Sequence, residues 1–113
     1  MVNTTRCIRG AGDMSLYVIT CIDPHFKSSL SKIGISKHPP KRFKSLQAIV
    51  PLVLNLVKIW TPEELNFDAE TIEMITARDL RLDNPVYGKK EWFSLPAWRV
   101  IECAEYFNEN YLK

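Results

Sequence analysis

Two short runs rich in β-branched and aromatic residues, Leu16-Tyr17-Val18-Ile19-Thr20-Cys21 and Lys32-Ile33-Gly34-Ile35-Ser36, are joined by one long turn opened by Asp23-Pro24. Such a pair reads as an antiparallel hairpin, and it constrains everything after it, because the remaining apolar segments must cover its faces. His38-Pro39-Pro40 follows at once and opens a helix, since proline in a first turn forfeits only an N–H without an intrahelical partner. That helix is expected to run to about Ala48, burying Phe43, Leu46 and Val50, and to stop at Pro51. Residues 52–60 form the most apolar strand. Asp68 caps a helix over 69–82 and Asp83-Asn84-Pro85 ends it. Val86-Tyr87-Gly88-Lys89-Lys90 is a basic loop leading to Glu91-Trp92-Phe93. In the last helix, over 96–111, Val100, Cys103, Ala104, Phe107 and Tyr111 share one face, with Glu102, Glu105 and Glu109 opposite.

The order is β-β-α-β-α-(β)-α, an α+β fold with a small three-stranded antiparallel sheet flanked by helices. Residues 1–14 read as a flexible lead-in and 15–113 as one domain, which 113 residues suffice to build. A hydrophobic share of 46% with 25% charged residues is ordinary for a globular chain and excludes overall disorder. Three cysteines, Cys7, Cys21 and Cys103, without CxxC spacing point to neither a disulfide framework nor a zinc site, so a reducing cytoplasm is expected. The apolar run at 49–57 is broken by Pro51 and Asn55 and too short to cross a membrane.

Net charge is only +2, but its distribution is uneven. From Pro24 to Pro62 there are seven Lys or Arg and no acid; from Glu63 to Asp83 there are seven acids against Arg78 and Arg81. Lys37, Lys41 and Lys44 around the strand-to-helix turn, with Lys89 and Lys90 in the later loop, suit sequence-blind contacts to a nucleic-acid backbone.

Ser15-Leu16-Tyr17, Lys32-Ile33-Gly34 and Arg42, eight residues after that glycine, resemble the GIY-YIG endonuclease superfamily. The similarity is closer to its small phage-type and meiotically up-regulated branch, through LYVI, KIGIS, KRFKSLQ, a glutamate on the helix after strand three, and EWF at 91–93. The resemblance implies metal-dependent hydrolysis of DNA phosphodiesters, with one Mg²⁺ or Mn²⁺ held by a glutamate, a tyrosine near the attacking water and an arginine on the phosphate. Residue by residue this assigns Tyr17, Arg42 and Glu73, with Lys32 as a phosphate contact. Glu73 is preferred to Glu70 as the metal ligand because it borders the apolar face beside Leu80, while Glu70 points further toward water. Asp79 falls inside that apolar stripe and fits it poorly.

The chain departs from the family pattern where glycine, tyrosine and two histidines would stand: Ser15, Lys32, Leu46 and Ala77 occupy those positions. Asn84 is the nearest counterpart of a late asparagine. These losses support an alternative, a catalytically degenerate module that binds nucleic acid or inhibits a protein, and the small size leaves room for a protein partner or a homodimer. Trp92 and Phe93 are expected to anchor the core. His25 and His38 are expected in exposed loops.

Overall fold

The computed structural model describes residues 13–22, 28–82, 86–87 and 92–110. Strand β1 (Ser15–Ile22) lies at the heart of the sheet, pairing antiparallel with β2 (Ser29–Ser36) on one side and β3 (Asn55–Trp60) on the other. Its side chains alternate between two cores. Leu16 and Val18 pack with Ile33, Trp60 and Phe93 beneath helices α2 (Ala69–Arg81) and α3 (Ala97–Asn110). Tyr17, Ile19 and Cys21 pack with Leu46 and Leu54 beneath helix α1 (Pro39–Ile49). Helix α1 therefore covers one face of the sheet and the α2–α3 pair the other.

The α+β class and the three central antiparallel strands agree with the sequence reading, but the sheet has five strands, not three. Its order is β3-β1-β2-β5-β4, where β4 (Val86–Tyr87) and β5 (Trp92–Phe93) form a two-residue pair docked on Ser31 through Phe93. Strands this short carry no alternation that a sequence could reveal. Phe93 is buried and Trp92 half-buried, so both anchor the core as expected.

Two strand boundaries also move, each for a polar reason. Strand β3 starts at Asn55 and not at 52 because Gln47 takes the preceding backbone. Its amide nitrogen donates to Leu52 O at 2.8 Å and to Val50 O at 3.4 Å, and its amide oxygen accepts from Leu54 N at 2.8 Å. Strand β2 begins at Ser29, inside the polar run that reads as turn, because the buried Ser31 hydroxyl donates to Leu95 O at 2.7 Å and lies 3.2 Å from Thr20 Oγ1. Opposite β1, Val18 faces Lys58 and Ile19 faces Leu56, so Val57 is the extra residue of a bulge.

Helix α2 begins as expected, with Asp68 Oδ1 accepting from Thr71 N at 3.1 Å. Asp79 is exposed, which removes its misfit: its carboxylate accepts from the Cys103 thiol at 3.6 Å, outside the core. Thr76 is the unusual residue of this helix, fully buried with no partner for its hydroxyl among the described residues. Helix α3 is tied down near its end by Asn108. Asn108 Oδ1 accepts from Asn66 N at 2.7 Å, Asn108 O accepts from Asn66 Nδ2 at 2.8 Å, and Asn108 Nδ2 donates to Glu64 O at 3.3 Å. Among the described residues no helix is long and apolar enough to cross a membrane. Residues 1–12 of the lead-in, with Cys7, lie outside the described residues, as do His25, Asn84, Lys89, Lys90, Glu91 and Tyr111.

Candidate functional site

The β1–β2 register sets Tyr17 directly opposite Gly34. A Cβ added to Gly34 would fall 2.5 Å from the Tyr17 hydroxyl and 2.6 Å from Cζ. The glycine of Lys-Ile-Gly is thus required locally: the phenol ring lies across β2 where any side chain would stand. Tyr17 is only 2% exposed and belongs to the core under α1.

Lys32 precedes Gly34 by two residues, on the same face of β2, and is 7% exposed. It lines a cleft of about 330 Å³ at the β2 edge, together with Ile33, Phe93 and a stripe of α2. That stripe is Glu70, Glu73, Met74, Ala77 and Arg81, residues spaced three or four apart and so on one helix face. Glu70 is exposed and Glu73 half-buried, in the order the helix geometry predicts, but both carboxylates line the cleft. Ala77 also lines it. Arg81, which the motif reading did not single out, adds a second cation to Lys32. The signal for it was present in the sequence, since Glu73, Ala77 and Arg81 repeat at four-residue steps.

Tyr17 and Arg42 do not line this cleft. The structure brings Lys32 and Glu73 together, and leaves Tyr17 under α1 and Arg42 exposed on that helix. Among the described residues no three His, Cys, Asp or Glu gather as a metal cage. Two carboxylates one turn apart on an open cleft do suit Mg²⁺ or Mn²⁺, which keeps several waters and takes one or two protein carboxylates. Glu73 with Glu70 would hold such an ion. When bound it would acidify water and offset charge on phosphate oxygens.

The other candidate surface is the start of α1. Lys37, His38, Lys41, Arg42 and Lys44 are exposed, and the first turn contains no acid. Lys37, His38, Pro39, Pro40 and Lys41 line a hollow of about 480 Å³. Cations here oppose the helix dipole, whose positive end favours anions by about 0.3–1 kcal/mol per charge and disfavours cations in like measure. Among the described residues Lys37 pairs with Asp13 at 3.5 Å, an exposed contact of little energy. Backbone donors are few. Pro39 and Pro40 have none, and Arg42 N already donates to His38 O at 3.0 Å. An anion at this end would be held by side chains. Gln47, at the end of the same motif, is occupied in fixing the turn to β3.

Comparison with protein-family models, with curated proteins and with solved structures yields no match.

Proposed function

We propose that this chain is a nucleic-acid-binding domain that grips the phosphate backbone through the β2–α1 turn, with Lys37, Lys41, Arg42 and Lys44 as the contacts. One observation carries the reading: exposed cations crowd the positive end of α1, where they weaken the helix, with no acid in its first turn. A phosphate seated there relieves that repulsion and meets guanidinium and ammonium donors. Because side chains and not backbone amides make the contacts, binding depends steeply on salt. Titrating a fluorescent DNA duplex at several salt concentrations tests this. Replacing Lys41, Arg42 and Lys44 together by alanine should reduce the slope of log K against log salt by about 2.7, from roughly 0.9 per phosphate contact. An unchanged slope would overturn the proposal. A matched RNA duplex in the same titration identifies the preferred polymer.

A second reading, phosphodiester hydrolysis of the GIY-YIG type, is favoured by the shared cleft of Lys32 and Glu73. In it Glu73 would hold Mg²⁺ or Mn²⁺ and Lys32 would meet the phosphate, while the roles the resemblance gives Arg42 and Tyr17 require both to approach a cleft they do not line. Plasmid cleavage with either ion, lost in Glu73→Gln and in Arg42→Ala, is the expected result. Cleavage that survives both substitutions removes this reading.

A further inference from the structure

We propose that the domain associates with itself head to tail, helix α1 of one copy seating on the groove between α2 and α3 of the next. The groove has a volume of about 510 Å³, with Leu80, Cys103 and Phe107 along it and Asp79, Glu102 and Tyr106 at its rim. Burial and the neighbouring Asp79 carboxylate push the Cys103 thiol up to about 12, so it stays neutral and the lining stays apolar. Beside the groove, α3 exposes Trp98 (62%) and Tyr106 (60%), large aromatic surfaces for a helix end.

The charge lining the groove is two carboxylates, Asp79 and Glu102, against Arg99. The Arg99 guanidinium stands 5.9 Å from the Trp98 ring centroid. Helix α1 is the complement: Lys41, Arg42 and Lys44 with no acid, and an exposed Ile49 (78%) at its end. Cations with an apolar end thus match carboxylates with an apolar floor.

The two surfaces lie on opposite faces of the sheet, so one copy cannot satisfy its own. Pairing them between copies uses different patches on each partner, which builds open chains and not a closed dimer. Surface charge pairs are screened beyond about 8 Å at physiological ionic strength, so the association belongs to low salt and high protein concentration.

Sedimentation velocity with charge-reversed variants tests the contact directly. The wild-type weight-average sedimentation coefficient should rise with concentration at low salt and fall back when salt is added. Asp79→Lys/Glu102→Lys reverses the groove, and Lys41→Glu/Arg42→Glu reverses the helix; each alone should lose the rise. An equimolar mixture of the two should regain it, since each then offers what the other lacks, and this recovery also shows that both variants are folded. Four results overturn the proposal: a wild type monomeric at every concentration, association that stops at a dimer, variants that associate as well as the wild type, or a mixture that stays monomeric. The charge swap involves no nucleic acid, so its outcome is separate from the reading above. DNA binding that survives the groove variant and fails in the helix variant would mark α1 as shared by both ligands.

Discussion

On the α1 side of the sheet, Tyr17 is closed under its helix by contact with Gly34, and the charge stands outside, on Lys41, Arg42 and Lys44. On the α2–α3 side charged residues line hollows floored by apolar side chains, Glu73 and Arg81 beside Ile33 and Phe93, Asp79 and Glu102 beside Leu80 and Phe107. The difference lies in how each face is filled. One short helix can cover a strand pair only by close packing, which leaves its polar residues outward. Two helices side by side leave a seam and an edge, and polar residues bordering the core open into them.

The contrast can be broken by removing what holds each face. Asn108→Ala deletes two hydrogen bonds and leaves partly buried backbone groups of Asn66 and Glu64 unpaired, each loss costing about 1–3 kcal/mol. We expect about 3 kcal/mol of lost stability in urea unfolding with the sheet retained by circular dichroism. On the other face Gly34→Ala attacks packing alone, since a methyl would stand where the Tyr17 ring lies. Overpacking of this kind costs about 1–3 kcal/mol, and Tyr17→Leu in the same chain should recover most of it. If Tyr17→Leu recovers nothing, the contact between ring and glycine is not what closes that face.

Two smaller changes sharpen the comparison. Thr76→Val keeps the shape of a fully buried side chain and removes a hydroxyl that has no partner among the described residues. It should stabilise the α2 side by about 1 kcal/mol, the lower end of the cost of such a group, read as a raised urea midpoint with an unchanged slope. The smallest effect is one of pH. Glu64 accepts from Thr61 N at 2.9 Å and from the Thr61 hydroxyl at 3.2 Å, and the backbone hydrogen bond first, then the hydroxyl, holds its carboxyl below the usual value. A carboxyl lowered in the folded state adds stability that is fully present above its unfolded value and fades as pH falls through the lowered one. Glu64→Gln should flatten that acid limb slightly in thermal melts, by lowering stability a little at neutral pH and leaving it nearly unchanged at low pH.

Much of the element order was legible because it rests on local chemistry. Asp68 caps α2, the proline pair opens α1, and the run of β-branched and aromatic residues along β1 marks a strand. Of the residues the resemblance assigns, Lys32 and Glu73 line one cleft. What could not be read was the burial of Tyr17 away from that cleft. A strand tyrosine has the same neighbours in sequence whichever face it takes, and only register and the helix above it settle the matter. Arg81 is legible for a related reason only in three dimensions: its four-residue step from Ala77 gains meaning once Lys32, Ile33 and Phe93 are seen to share its cleft.

By itself the sequence determined the order of the three helices and three central strands, the starts of α1 and α2, and that positive charge gathers at the β2–α1 turn. These follow from propensity, caps and composition, which act over a few residues. Tertiary structure decided the rest: the five-strand order, the faces covered by each helix, and which charged groups share a cavity. Those depend on contacts between residues as far apart as Ser31 and Leu95, whose meeting no local pattern encodes.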